Sequence, residues 1–270
     1  MTLETLATAL SDNDPELRLD AIQEIAANAQ LALPEAVLDA LTACLGANRK
    51  VIQRRAAEAL AGLALHDPRV VEKLRAMLSH PEPRARWGAV YALGMINLDD
   101  ALDLRAMPNL IEALASNDGD VRWAAAELIV LLGRRSREPV SSQLITLARE
   151  GNLNSRKMAI YCLRDVGGPC EELLAAAESC CRDNQSLLKM AALSLLPRIE
   201  DPGDRAAALA IGLLEDDPDA GVRRCAAVAL GHIGSRAARV IAALNHAAAT
   251  DDIYMKRAAQ GALTRLGVIT

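Results

Sequence analysis

A chain of 270 residues with no phenylalanine and 2 % aromatics, dominated by Ala and Leu, excludes a β-rich core and favours closely packed helices of strong intrinsic propensity. Its net charge of −5 and pI near 5.5 oppose the strong positive field that backbone binding of nucleic acid demands. No basic region followed by an apolar stretch opens it and no run of about 18 apolar residues occurs, which argues against a secretion signal and a membrane span and predicts a cytoplasmic protein.

Helices are predicted along the whole length. Leu3, Leu6 and Leu10 form the first apolar stripe and are expected to cover one end of a stack. One unit then returns, centred on Ala21, Ala56, Ala89, Ala125, Ala159, Ala191, Ala226 and Ala259, at spacings of 35, 33, 36, 34, 32, 35 and 33 residues. A repeat of that length cannot bury its own apolar face and must stack on its neighbours. No Ser-, Pro- or Gly-rich linker interrupts the ladder, so one elongated domain, residues 1–270, is expected.

Each copy reads as helix, tight turn, helix. First helices begin near Pro34, Pro68 and Pro108, where the missing amide hydrogen is best tolerated. Second helices follow Asp14, Asp118, Asn152, Asn184, Asp219 and Asp252, short polar residues able to accept from the free amides of a first turn. Arg49 and Glu82 break that rule in copies two and three. The longest interval includes Leu98 to Asp103, predicted to be a longer and more flexible connection. In the clearest copy, Asp219 to Gly234, the residues Val222, Cys225, Ala226, Ala229, Leu230 and Ile233 share one helical face, expected to be core. Leu263, Leu266 and Val268 are expected to cover the other end.

The tetratricopeptide Trp-Leu-Gly-Tyr pattern and the ankyrin Thr-Pro-Leu-His turn are missing. The pattern Asp-x-x-Val-Arg-x-x-Ala-x-x-Ala-Leu-Gly, present from Asp219 to Gly231 and nearly so from Asp118 to Leu131, resembles the short HEAT-like repeats of phycobilin lyase subunits and many bacterial scaffold proteins. The resemblance implies an all-α fold, an α-α superhelix (HEAT-like or armadillo-type solenoid) of about eight helical hairpins. It is weak for function, because such repeats serve many unrelated jobs.

Cys162 and Cys225 fall on core-facing positions and Cys44 ends a first helix, so reduced packing thiols are expected. Cys180 and Cys181, near Cys170, match no zinc or iron–sulfur spacing. None of His66, His80, His232 and His246 is followed by Glu, whereas the HEAT-like deoxyhypusine hydroxylases are recognised by paired His-Glu motifs. With no Gly-rich phosphate loop, Gly-x-Ser-x-Gly elbow or His-Glu-x-x-His helix, no catalytic residue, metal or cofactor is expected.

In HEAT-like solenoids the second helices line the concave side. The resemblance therefore places positions two and six after the Val222 equivalent in a trough, as i, i+4 pairs: Arg54 with Glu58, Trp87 with Tyr91, Trp123 with Glu127, Lys157 with Tyr161, and Lys189 with Leu193. Aromatics beside cations are common anchors of binding surfaces, although the same rings could cover seams between helices. Arg18, Arg122 and Arg223 are expected to pair with capping aspartates, leaving Arg54, Lys157, Lys189, Arg224 and Arg257 freer to meet an acidic partner.

These features predict a non-enzymatic scaffold, adaptor or assembly factor that holds an acidic protein partner, with Trp87, Tyr91, Trp123 and Tyr161 as anchors. The lyase resemblance leaves a bilin lyase subunit or tetrapyrrole chaperone as the alternative, its pigment's propionates meeting Arg54 or Lys157. A HEAT-like DNA glycosylase, suggested by Trp123 beside Glu127, is disfavoured by the acidic pI.

Overall fold

The computed structural model describes residues 3–30, 32–96, 101–201 and 204–269, and every regular element among them is helical. Two compact units emerge. The first, Met1–Ala113 with Asp118–Leu132, holds α1 (Leu3–Leu10), α2 (Pro15–Ala27), α3 (Glu35–Ala43), α4 (Lys50–Leu63), α5 (Arg69–Ala76), α6 (Pro83–Met95) and most of α7 (Met107–Leu114) and α8 (Gly119–Arg135). The second, Leu114–Asn117 with Gly133–Thr270, holds α9 (Arg137–Glu150), α10 (Leu153–Val166), α11 (Cys170–Cys181), α12 (Ser186–Leu195), α13 (Arg205–Asp216), α14 (Ala220–Ile233), α15 (Ala238–Ala248) and α16 (Ile253–Arg265).

Within each unit the pairing is that of helical hairpins, with second helices packed on one another. In the first unit α2 packs on α4 and α4 on α6, while α1, α3 and α5 form the other layer. In the second unit α10, α12, α14 and α16 lie side by side over α9, α11, α13 and α15. All eight anchor alanines are 0 % exposed, which fits their role as the residues at which helices approach most closely. Two glycines take that approach further: a Cβ at Gly88 would lie 2.7 Å from Leu45, and one at Gly231 would lie 2.8 Å from the Cα of Ala262.

The caps fix the register. Asp14, Asp118, Asn152, Asp219 and Asp252 accept from first-turn amides at 2.7 to 3.0 Å, as their residue types predict. Arg49 and Glu82 make no side-chain cap. Asn184 does not cap either. Helix α12 starts after Gln185, whose amide is held at 2.9 Å by Asp183, just as the amide of Asp219 is held at 2.9 Å by Asp217. Counting seven residues from each cap, Asp219 leads to Ala226 and Gln185 leads to Ala192, so the anchor of copy six is Ala192, one residue beyond Ala191. Both alanines are fully buried, so spacing in the sequence could not separate them.

In six copies the side chain four residues past the cap ties the helix to the turns around it. Arg156 donates to the Ala148 carbonyl at 3.0 Å and to Asp183 at 2.8 Å, and Arg223 to the carbonyls of Asp217 and Pro218 at 2.7 and 3.1 Å. In the first unit Gln53 reaches the Leu45 carbonyl at 3.0 Å and Arg18 the Cys44 sulfur at 3.5 Å. The expected arginine–cap pairing is thus corrected for Arg18 and Arg223. The guanidinium satisfies turn carbonyls or a sulfur, because the cap carboxylate is already occupied by first-turn amides.

Leu6, Leu10, Leu263 and Leu266 are buried, whereas Val268 is 39 % exposed and covers little. The side chain of Leu3 and residues Leu98 to Asp100 lie outside the described residues. The following Ala101 and Leu102 are buried, so that end of the long connection is packed. Cys162 is buried as expected; Cys225 and Ile233 are only half-buried, and the face of α14 that carries them is partly open.

Candidate functional site

The two rows of positions singled out in the sequence lie five and nine residues past each cap. In the first unit, Trp87 and Tyr91 on α6 are half-buried and their rings meet with centroids 6.0 Å apart and planes tilted by 38°. Such an offset geometry is favourable for aromatic pairs. Trp123 holds the equivalent place on α8 and is 52 % exposed. Arg54 and Glu58 on α4 are exposed but do not pair with each other; Glu58 is bound by Arg55 at 2.8 Å, three residues back, leaving Arg54 open to solvent. Glu127, one turn beyond Trp123, is exposed.

In the second unit the pairs change partner. Tyr161 lies under the guanidinium of Arg164, 5.7 Å from ring centroid to Cζ, and burial pushes its phenol above the usual tyrosine range. Lys157 is half-buried and makes no ion pair among the described residues. Lys189 does not lie in that row of positions. The one-residue shift of α12 moves it to the tie position, where its ammonium bonds the buried carboxylate of Asp217 at 2.6 Å, and Leu193 is buried with it. The row residues of copy six are instead Met190 and Ser194.

That shift uncovers a feature the sequence reading missed. Met190 and Ser194 line a groove of about 840 Å3 along the seam between α12 and α14, wholly within the second unit. Leu193, Val228 and Ala229 supply its apolar wall. Arg224 stands toward the N-terminal ends of the two helices and Arg198, in the single 3-10 turn that extends α12, toward their C-terminal ends. Arg164 and Asp165 also face it but neutralise each other at 2.9 Å. The guanidinium of Arg164 holds the Asp165 carboxyl below the usual carboxylate range. Cys225 opens onto the groove, its thiol pushed up by burial. The signal available in the sequence was Asp183-x-Gln185, which repeats the spacing of Asp217-x-Asp219 and sets the correct register.

Among the described residues no group of three or more His, Cys, Asp or Glu side chains is arranged to hold a metal ion, and no helix is long and apolar enough to cross a membrane.

Residues 38–107 match the HEAT repeats family. The fold is that of a HEAT-like repeat solenoid. No curated protein matches it. Among solved structures, this HEAT-like chain is similar to the karyopherin Kap121p bound to the SUMO protease Ulp1p, with a TM-score of 0.73 at 14 % identity over 98 % of this chain and 33 % of that one. It is also similar to Kap95p bound to RanGDP (TM-score 0.66, 14 % identity, 98 % and 41 % covered) and to YIBA_ECOLI (TM-score 0.59, 14 % identity, 99 % and 93 % covered). The HEAT-like chain spans about a third of the length of Kap121p. At such identities the likeness is one of fold: an all-α superhelix of paired helices.

Proposed function

We propose that this chain is a non-enzymatic scaffold that holds a protein partner on the second helices of its first unit, with Trp87, Tyr91 and Trp123 as apolar anchors. The observation that carries this reading is Trp123, 52 % exposed at the register position that Trp87 holds on α6, in the same unit as a Trp87–Tyr91 pair that is itself only half-buried. In a chain with 2 % aromatics, large rings left in water at equivalent positions lose free energy that a partner's apolar surface restores. The exposed Arg54 and half-buried Lys157 supply positive charge for a partner with an acidic face. Tyr161 serves as a further anchor, held from one side by Arg164. The structurally similar Kap121p and Kap95p are described in complex with other proteins, which fits a scaffold reading of the fold.

The test is affinity capture with the wild-type chain and with a Trp87→Ala/Tyr91→Ala/Trp123→Ala variant shown by circular dichroism to be folded. A partner retained by the wild type and lost by the variant supports the assignment. Retention of the same proteins by both places the contact elsewhere and makes the aromatics packing residues.

A further inference from the structure

Ion pairs such as Lys73 with Asp39 and Arg86 with Glu112 join neighbouring copies of the repeat. The pair formed by Lys50 skips a copy. Lys50, the first residue of α4, donates to the Asp118 carboxylate ahead of α8, 68 residues on, and lies 3.9 Å from Asp120. Both ends of the pair belong to the first unit, and α6 stands between them: α4 packs on α6, and a Cβ at Gly94 of α6 would run into the side chain of Leu128 on α8. Adjacent packed helices lie about 8–10 Å apart, so in a flat layer α4 and α8 would be about 16–20 Å apart, beyond the combined reach of a lysine and an aspartate. The N-terminal ends of α4 and α8 therefore fold toward each other around α6.

The crossing runs over the face that carries the aromatic row. Lys50 lies four residues before Arg54, as Pro83 does before Trp87 and Gly119 before Trp123, so these positions share a face on each helix. The other side of α6 packs on α5. Helical side chains lean toward the helix N-terminus, so the Trp87 ring extends over the first turn of α6, the level at which the pair passes. Trp123 is 52 % exposed, whereas Trp87, at the same register on the middle helix, is half-buried, as a bar above it requires. The pair is open to water: the side chains of Lys50 and Asp118 are 59 % and 34 % exposed, so salt weakens it. The Asp118 carboxylate also divides its oxygens. One accepts the Asp120 amide at 3.0 Å and caps α8, and the other accepts from Lys50, so the contact to α4 can open while the cap stays made.

We infer that the Lys50–Asp118 pair is a salt-sensitive strut that bars the N-terminal end of the aromatic face above Trp87, and that a partner occupying that face displaces it. This rests on the reading of the aromatic row as a binding face, and names how access to that face is controlled. With the strut closed only a fraction of molecules offers Trp87 in full, and the apparent affinity for a partner falls by that fraction.

The full chain has two tryptophans, so each can be watched alone: Trp123→Phe leaves Trp87 as the sole indole, and Trp87→Phe leaves Trp123. The probe is acrylamide, a small uncharged quencher whose own approach does not depend on salt. Raising NaCl from about 0.01 M to about 1 M shortens the screening length from about 30 Å to about 3 Å. The strut predicts that this raises the quenching constant of Trp87 about 1.5-fold, while that of Trp123 stays constant. The same rise is expected at low salt in Lys50→Gln and in Asp118→Asn/Asp120→Asn, which keeps a side-chain acceptor for the cap, and salt then adds nothing further. Circular dichroism verifies that each variant is folded. A Trp87 constant indifferent to salt and to both variants overturns the inference, as does a salt effect undiminished in Lys50→Gln or an equal rise at Trp123, which marks loosening of the whole unit. In affinity capture, a partner that depends on the aromatics is held more strongly by Lys50→Gln, and equal or weaker retention overturns the displacement. Quenching needs no partner, so failure of the aromatic anchors and failure of the strut are told apart.

Discussion

Lys189 Nζ lies 2.6 Å from the carboxylate of Asp217, and the two side chains are 14 % and 2 % exposed. The pair joins α12 to the turn before α14, and the second carboxylate oxygen accepts the amide of Asp219 at 2.9 Å. Removing the cation alone leaves a buried charge with half its partners. Lys189→Ala is expected to destabilise the chain by about 3 kcal/mol, whereas Lys189→Met/Asp217→Asn, which removes both charges and keeps the acceptor, loses less. Urea denaturation of the three proteins checks this. If the double variant is as unstable as the single one, the charge is not the cause.

Gly231 and Gly234 stand three residues apart and resist substitution for different reasons. A Cβ at Gly231 would meet the Cα of Ala262 at 2.8 Å, so α14 and α16 must separate to admit it. Gly231→Ala is expected to cost about 1–3 kcal/mol by overpacking. Gly234 has open space around it but sits at φ +79°, so Gly234→Ala costs about 1 kcal/mol through the backbone alone. The two thermal shifts separate these causes: Gly234→Asn, whose side chain tolerates the left-handed region, regains part of the loss, and Gly231→Asn regains none.

Ala125 is 0 % exposed at the anchor position of α8. Ala125→Leu adds a branched side chain where none fits and is expected to lower stability by about 1–3 kcal/mol. An unchanged thermal midpoint contradicts the anchor register of copy four.

Asp67 and Asp103 each clasp the arginine two residues on. Asp67 accepts from the Arg69 backbone amide at 3.0 Å and from its guanidinium at 2.6 Å, while that guanidinium also reaches the Leu33 carbonyl at 2.9 Å. Hydrogen bonds from Arg69 and Arg105 hold the two carboxyls below the usual aspartate range. A carboxyl whose folded pKa is depressed stabilises the fold above its unfolded pKa of about 3.9 and loses that contribution as pH falls through the folded value. Stability should therefore decline below about pH 4, and an Asp67→Asn/Asp103→Asn variant should show a shallower acid limb than the wild type in a series of melts. An identical acid limb assigns the decline to other carboxylates.

Thiol reactivity follows burial. Burial pushes the thiols of Cys162 and Cys181 up to about 12, and those of Cys44 and Cys180 are raised for the same reason. These four thiols are also shielded from reagent, so maleimide labelling of the native chain is expected at the half-buried Cys170 and, more slowly because burial raises its thiol too, at Cys225, and at no other cysteine until urea is added. Fast labelling of Cys181 in the native state contradicts its buried placement.

The sequence by itself determined the fold class, the hairpin count and most of the register. Alanine at a spacing near 34 residues and a capping Asp or Asn ahead of each second helix are local signals, set by helix packing distance and by unpaired first-turn amides. It also placed Trp87 beside Tyr91, because i, i+4 residues lie one turn apart on the same helix face. The structure decided the rest. The doublet Ala191-Ala192 satisfies the core in either register, so the alanine ladder is silent there, and the turn at Asp183 selects Ala192 and takes Lys189 out of the aromatic row to Asp217. Likewise the groove between α12 and α14 arises where residues on two separate helices leave space between them, a quantity that depends on how those helices pack and that no single helix encodes.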